Sequence, residues 1–297
     1  MELVISVLEQ GMIYAIMALG MYITYKILDF PDMTVDGSFP LGAAVTVVFI
    51  SNGVNPLLVL PITFAIGCGI GIITGIIHVK LGVRDLLAGI IMMTALYSVN
   101  LRIAGRANFP IYDKDNIFNN GIVDAIFGGP LGPWKVVIIL VIILIVVKIL
   151  LDLYMKTKSG YLLKAVGDNE TLVTSLGIDK GMIKILGLAI ANGLCTLAGG
   201  LFAQQQRYFD VTMGTGTAVI GLASVIIGIS LFKKLNFFKI TTAAIAGAVV
   251  YKACVAIAIR LGLPSSDLKL ITAVLFLVIL VISRDRYKKV KKKERNI

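Results

Sequence analysis

The sequence predicts an all-α polytopic membrane protein, and its composition and hydropathy carry that prediction. Hydrophobic residues make up 58% of the 297 positions, charged residues make up only 15%, and the mean hydropathy is +0.93. A soluble domain has about a quarter of its residues charged. A chain this apolar cannot cover its surface with polar side chains, so we expect a lipid bilayer to surround it.

The apolar residues fall in runs of the length that crosses a membrane. About 20 apolar residues are needed to span about 30 Å of hydrocarbon. Residues 30–50 form an interrupted crossing, because helix-breaking and polar residues at 31–37 precede a short apolar run at 39–50. We therefore expect eight full transmembrane helices plus this broken crossing, all within a transmembrane domain over residues 1–283. The eight full windows are 7–28, 57–79, 86–103, 136–153, 182–204, 216–232, 240–260 and 268–283.

The basic residues predict the orientation of the chain. There are 28 basic residues against 17 acidic ones, which gives a net charge of +11. Basic and aromatic residues do not interleave in a polar stretch, so we expect no nucleic-acid partner. Lys and Arg are enriched in cytoplasmic loops. The loop 154–181 and the tail 284–297 are then cytoplasmic, the loop 104–135 is a solvated extracytoplasmic segment, and the N-terminus lies outside.

Metal binding and enzyme chemistry have little support in the sequence. The three cysteines lie far apart in apolar runs, and His78 is the one histidine, so neither a disulfide framework nor a metal site is expected. The chain has no HExxH or GxSxG motif, which argues against an intramembrane enzyme.

Two segments 178 residues apart predict two internal repeats. Residues 30–37 read FPDMTVDG and residues 208–215 read YFDVTMGT, which aligns Asp32 with Asp210 and Thr34 with Thr212. Broken helices at the interface between repeats supply free backbone groups to a solute path. The alternative is that both aspartates only cap helices. The residues expected to border a path are Asp32, Thr34, Asp36, Gly37, Asn100, Asn192, Asp210, Thr212, Gly214 and Gly216.

Two other features lie inside the spans. Gly67, Gly71 and Gly75 are four residues apart, which places them on one helix face and predicts close helix packing. Lys252 is the one basic residue near the centre of a span, and we expect it to extend toward the interface or to pair with an acid.

The segment 154–181 is too polar to lie in lipid. We expect a short helix over 161–166, a turn at 167–169, and a second helix over 170–176 capped by Asp168 or Asn169. Gly177 ends that helix and Ile178 supplies the hydrophobic contact that follows it. Such an amphipathic segment, parallel to the membrane, fits a groove on a partner, although a plain loop helix is the alternative.

At these residues the chain resembles ABC importer permeases of the branched-chain amino acid and ribose type. Their coupling-helix region has a glycine, an alanine, a glycine, Asn-Glu and Gly-Ile. These positions are held here by Gly160, Ala165, Gly167, Asn169, Glu170, Gly177 and Ile178. Leu172 and Val173 depart from the small-residue pair usual in that family. The stretches 86–105 and 210–228 resemble the tryptophan/tyrosine-transport-like subgroup.

The resemblance implies a permease subunit in the bacterial cytoplasmic membrane that works by alternating access. It implies a homodimer, ATPase subunits docked at Asp168 and the seven coupling residues, and an extracytoplasmic solute-binding protein. No GxxxxGK[ST] loop is present, so the expectation is that the chain binds no cofactor and that ATP and Mg are held by the ATPase. The resemblance favours an amino acid as the solute, with an aromatic amino acid as the family-level expectation, and branched-chain amino acids, other small metabolites and nucleosides remain the alternatives. The alternative is an ion- or proton-coupled secondary transporter that uses Lys252, or Asp32 with Asp210.

Overall fold

The computed structural model describes residues 2–121, 132–232 and 239–260, with isolated positions within 123–127 and 270–281. Two three-residue strands, β1 (Asn108–Pro110) and β2 (Tyr208–Asp210), pair antiparallel. The helices of the described part are α1 (Glu2–Met21), α2 (Val35–Ser51), α3 (Pro56–Val79), α4 (Asp85–Ala104), α5 (Lys135–Tyr154), α6 (Lys158–Asp168), α7 (Glu170–Ser175), α8 (Lys180–Gln206), α9 (Thr217–Phe232) and α10 (Ile240–Arg260).

Six of these helical segments are long and apolar enough to cross a membrane, which confirms a mostly helical polytopic membrane protein. They are Glu2–Ile27, Pro56–Val79, Asp85–Ala104, Gly132–Tyr154, Lys180–Gln206 and Ile240–Arg260.

The predicted crossing at 216–232 is occupied by α9, which begins one residue later than the predicted window, after turns over 211–216. Its 16 described residues make a helix of about 24 Å at 1.5 Å per residue. The last predicted crossing, 268–283, and the tail, 284–297, lie outside the described ranges apart from isolated positions.

The interrupted crossing at 30–50 is confirmed as a non-helical stretch followed by a short helix. The end of α1 widens into a π-helix, Tyr22–Ile27, and the N–H of Phe30 then donates to the carbonyl of Thr24 at 2.9 Å. Asp29 adopts a φ of 51°, which turns the chain out of the helix. The helix α2 begins only at Val35 and has 17 residues.

The helix α8 lies at the centre of the bundle, and glycines allow other helices to approach its backbone. A Cβ at Gly67, Gly71 or Gly75 of α3 would collide with atoms of α8, which confirms the predicted close packing. On the side of α2, a Cβ at Gly42 would meet the Thr196 carbonyl. A Cβ at Gly199 of α8 would likewise collide with the backbone of α2.

The long first helix of each half of the chain packs against helices of the other half. The helix α8 packs against α2 and α3 of the first half, whereas α1 packs against α9 and α10 of the second half. The predicted repeats begin with α1 and α8, so the first helix of each repeat lies against later helices of the other repeat.

Contacts between helix ends and loops group at the two ends of the bundle. At one end, the Gln205 side chain donates to Glu9 at 2.9 Å, and β1 pairs with β2. At the other end, Lys239 pairs with Asp152 at 3.0 Å, and Gly167 packs on the carbonyl of Ile27.

Part of the 104–135 loop packs against the bundle, whereas the stretches 105–110 and 112–115 are largely exposed, as is expected of a solvated segment. Asn116 is 1% exposed and donates to the Gln204 carbonyl at 3.2 Å, while the N–H of Ile117 donates to the Gln204 side chain at 3.1 Å. Phe118 is also buried. Apolar residues within a polar segment therefore fold it over the end of α8.

Candidate functional site

Asp32 lies in a buried polar network at the interrupted crossing. Its Oδ1 accepts the Thr34 N–H at 2.8 Å, and its Oδ2 accepts the Asn192 side-chain amide at 2.8 Å. The Asn192 Oδ1 in turn accepts the Ser38 hydroxyl at 2.7 Å. The Thr34 hydroxyl lies 3.3 Å from that of Thr74. The network joins the broken segment, the start of α2, α3 and the middle of α8.

Asp36 connects the two interrupted segments to each other. Its Oδ1 accepts the Ala218 N–H at 2.7 Å and the Thr217 hydroxyl at 3.0 Å, and its Oδ2 accepts the Gly216 N–H at 3.0 Å. These groups form the N-terminus of α9, so Asp36 caps a helix 180 residues further along the chain. A Cβ at Gly214 would collide with the Asp36 carbonyl and the Pro40 ring, which brings the two segments into backbone contact.

A cavity of about 300 Å³ lies beside this junction. Asn100 reaches from α4 and donates from Nδ2 to the Gly37 carbonyl at 3.1 Å. The exposed side chain of Tyr97 places the opening of the cavity on the outer face of α4. The lining includes Asp36 and Gly37 from α2, Tyr97 and Asn100 from α4, and Val211 and Thr215 from the segment before α9.

Asp210 and Thr212 lie apart from the other expected path residues, near the surface at the β2 end of the bundle. The Asp210 Oδ1 accepts the Thr212 N–H at 2.8 Å, which repeats the geometry of Asp32 with Thr34. Partial burial would raise the pKa of Asp210, but hydrogen bonds from Thr212 and Asn108 hold it below its usual value. The two aligned aspartates thus share a local turn but not a common site.

Lys252 finds no acidic side chain within ion-pair distance among the described residues. Its Nζ lies 3.7 Å from the centre of the Tyr14 ring and 3.4 Å from the Gln10 Oε1. The expected pairing with an acid is therefore not found there: the ammonium is held by a cation–π contact and by the side-chain amide of Gln10, the neighbour of Glu9. It does not line the cavity beside Asp36.

The segment 158–179 has the local structure that the sequence predicts. The helix α6 extends three residues earlier and two residues later than expected. Of the two candidate caps, Asn169 is the one used: its Oδ1 accepts the N–H groups of Thr171 and Leu172, each at 3.1 Å. Gly177 has a φ of 75°, which favours glycine, and the Ile178 N–H bonds back to Val173.

Glu170 attaches α7 to the start of α8. Its carboxylate pairs with Lys184 and with Lys180, the latter at 3.0 Å. The hydrogen bonds from Lys184 and Lys180 hold the pKa of Glu170 below its usual value. A displacement of α7 therefore acts on α8, which carries Asn192 two turns beyond Lys184.

Glycines attach α6 to the transmembrane helices. A Cβ at Gly167 would overlap the Ile27 carbonyl at the end of α1, and a Cβ at Gly160 would meet the backbone at Tyr154 and Met155. Ala165 is half-buried beside these contacts, and Asp168 is exposed. The segment thus touches both α1, directly before the Asp32 turn, and α8.

The outer side of the segment carries exposed apolar side chains. Leu172 is 55% exposed, Leu176 is 68% exposed and Tyr161 is 61% exposed, whereas Val173 points inward and is buried. The two residues that depart from the family pattern are therefore on opposite faces, and Leu172 is the one on the surface.

Several residues of the site are missing from the expectations made from sequence. Ser38, Thr74 and Thr217 complete the networks of Asp32 and Asp36, and Lys180 and Lys184 hold Glu170. A hydroxyl within an apolar run is the only sequence signal of the first three. The two lysines are spaced four apart at the start of a helix, which places them on one face.

Broken helices that meet inside an apolar bundle, with a polar helical segment attached at one end, define a membrane transport permease. The chain belongs to the family described as the permease component of the branched-chain amino acid transport system, which matches residues 3–283. It is thus a permease component of ABC transport systems and a multi-pass protein of the bacterial inner membrane.

Three curated proteins illustrate the similarity. A tyrosine transport system permease protein of Clostridioides difficile (strain R20291) is 47% identical over 277 residues, 93% of this chain and 90% of its own. The ribose import permease protein RbsC of Escherichia coli (strain K12) is 27% identical over 75% of this chain and 68% of its own. The inner membrane ABC transporter permease protein YjfF of the same strain is 27% identical over 76% and 67%. No solved structure matches the chain significantly.

Proposed function

We propose that this chain moves an aromatic amino acid inward by alternating access, driven by ATP hydrolysis on a separate subunit. The observation that carries the proposal is the attachment of the segment 158–179 to both α1 and α8, the two helices that lead to the Asp32 network. The choice of solute is supported by the relative that is named a tyrosine transport permease.

The coupling residues act in two groups. Asn169, Glu170 and Gly177 shape α7, and Glu170 passes its displacement to Lys180 and Lys184 of α8. Gly160, Ala165 and Gly167 seat α6 against the protein, and Gly167 passes a displacement to the end of α1. The exposed Leu172 and Leu176 fit a groove on the ATPase, and Asp168 and Ile178 flank α7.

The solute path runs beside the junction of the two interrupted segments. Asp36, Gly37 and Asn100 border the cavity, and Gly214 and Gly216 hold the second segment against Asp36. Asp32, Thr34 and Asn192 form the buried network that changes when α1 and α8 move. Asp210 and Thr212 shape the outer end of the second segment.

The assembly contains partners that supply energy and solute. We propose a homodimer with two ATPase subunits that hold ATP and Mg, and an extracytoplasmic solute-binding protein. The N-terminus lies outside and the C-terminus inside, the domain limits are those expected from the sequence, and two internal repeats make up the 1–283 domain. The matching turns at Asp32 and Asp210, and the packing of α1 and α8 across the two halves, support the repeats.

Uptake by the reconstituted complex tests the proposal. Proteoliposomes that contain the chain, its ATPase and its binding protein are loaded with ATP, and radiolabelled L-tyrosine is added outside. We expect accumulation that requires ATP and the binding protein and that resists a protonophore. Accumulation of ribose or a branched-chain amino acid in place of tyrosine would contradict the proposed solute, and uptake without ATP would contradict the proposed energy source.

A further inference from the structure

We propose that the cavity between α2 and α4 receives the ammonium end of the solute, and that Asn100 Oδ1 is the acceptor that selects it. This rests on the proposed function, because the cavity borders the proposed path. Beyond the proposed function, it assigns the ammonium group of the amino acid to the Asn100 side chain, which makes Asn100 a residue that determines solute specificity.

Asn100 is buried with a free acceptor. Its side chain is 1% exposed, and its Nδ2 donates to the Gly37 carbonyl at 3.1 Å. That bond fixes the orientation of the amide, because a carbonyl oxygen can only accept. Within the described part of the chain, no donor reaches the Asn100 Oδ1. Buried acceptors normally have partners, so an unfilled one beside a cavity suits an N–H donor that arrives with a ligand.

The charges around the cavity favour a cation over an anion. The Asp36 carboxylate is part of the lining, and none of the described lining residues is basic. The N-terminus of α9 would otherwise attract an anion. Here Asp36 already occupies it, by accepting from the Gly216 and Ala218 N–H groups. A solute carboxylate therefore finds no free donor at that helix end, whereas an ammonium meets two acceptors of negative character.

The remainder of the lining suits an apolar or aromatic side chain. Met93 and Tyr97 of α4 border the cavity beside Asn100, and Tyr97 is half exposed at the opening. The volume of about 300 Å³ lies at the small end of ligand sites. An amino acid with its ammonium at Asn100 and its side chain against Tyr97 directs its carboxylate away from Asp36, toward the opening.

Uptake kinetics of Asn100 variants test the assignment, with L-tyrosine as the probe and the complete reconstituted transporter. The binding protein is saturated with tyrosine, so that the rate of uptake reports transfer through the permease. Asn100→Leu removes the acceptor, and we expect the rate to fall about tenfold, the scale of one hydrogen bond to a charged group. Asn100→Asp keeps an acceptor oxygen, and we expect it to recover most of that loss. Thr46→Val is the matched control, because Thr46 also has a buried oxygen without a described partner but lies outside the cavity. We expect no change in rate for this control.

A second measurement does not depend on the solute. Thr215→Cys places a thiol in the cavity lining of a chain whose Cys68 and Cys254 are alanine, with Cys195 fully buried. We expect a trimethylammonium-ethyl methanethiosulfonate to react with this thiol about tenfold faster than the sulfonato-ethyl reagent, after correction for their intrinsic rates.

The two measurements separate the possible failures. If no tyrosine is imported while the cationic reagent is preferred, the proposed solute is wrong and the cation-selective cavity stands. If tyrosine is imported at the same rate by wild type and Asn100→Leu, the role of Asn100 is wrong and the proposed function stands. Equal rates for the two reagents would overturn the assignment of the cavity to an ammonium group.

Discussion

Single polar residues hold the interrupted crossings together. Asp36 accepts three hydrogen bonds from the start of α9, and Asp32 accepts from Thr34 and Asn192. A polar group in an apolar bundle costs free energy unless it is paired, and these groups are paired across the two halves of the chain. The same pairs therefore stabilise the fold and mark where the halves can move relative to each other.

The substitution Asp36→Ala should destabilise the protein by about 1–2 kcal/mol, because it removes a helix cap that also bridges two helices. Thermal unfolding of the purified chain measures the loss. Asp85→Ala is the control, since the Asp85 carboxylate accepts from the neighbouring Leu86 N–H at the exposed start of α4. Equal losses of stability in the two variants would mean that the hydrogen bonds from Asp36 to α9 do not stabilise the protein beyond a local helix cap.

The ion pairs of Glu170 should make stability depend on pH in one direction. Lys184 and Lys180 lower the pKa of Glu170 in the folded protein. The ion pairs then contribute fully to the stability of the folded protein when the pH lies above the ordinary pKa of a glutamate. This contribution is lost as the pH falls through the lowered pKa of Glu170 in the folded state. We expect wild type to unfold at a higher temperature than Glu170→Gln at neutral pH and to converge with it in acid. A difference that grows in acid would contradict these pairs.

At the scale of elements, the segment 158–179 is the part that the sequence predicts best. Its turn residues act locally: Asn169 caps α7 and Gly177 ends it. The interrupted crossing at 30–50 is likewise visible as polar residues beside a short apolar run. The bond from Asp36 to α9 is not visible, because it joins residues 180 apart and depends on how the two halves pack.

The contact of α6 with α1 can be tested by adding one methyl group. Gly167→Ala places a Cβ onto the Ile27 carbonyl, so we expect α6 to shift and tyrosine uptake to fall at least tenfold while membrane insertion persists. Gly69→Ala is the matched control, because its Cβ would meet no atom within 4 Å. Normal uptake by Gly167→Ala would show that this contact does not couple the two elements.

Reversing the charge of Glu170 tests the contact of α7 with α8. Glu170→Arg faces Lys180 and Lys184 with a like charge, so we expect uptake to be lost while the chain still inserts and the ATPase still hydrolyses ATP. The double variant Glu170→Arg, Lys184→Glu should recover part of the uptake. Normal ATP-driven uptake by the single variant would remove Glu170 from the coupling mechanism.

In the proposed mechanism, two helices of the whole molecule carry displacement from one end of the bundle to its middle. The helix α8 runs from the lysines that hold Glu170 to Asn192, and α1 ends in a π-helix between Gly167 and Asp32. π-helical turns are frequent at functional sites. Composition and hydropathy predict the membrane bundle, but only the packing of α1 and α8 across the two halves connects the coupling segment to the proposed path.

Crosslinking at Leu172 tests whether α7 contacts the ATPase subunit on the cytoplasmic side of the membrane. A single cysteine replaces this exposed residue of α7 in a chain otherwise free of reactive thiols, and the assembled transporter is treated with a short thiol-to-amine crosslinker in membranes. We expect a crosslink to the ATPase subunit and labelling of the cysteine from the cytoplasmic side alone. Labelling from the outside, or a complex in which residue 172 crosslinks to no nucleotide-hydrolysing subunit, would contradict it.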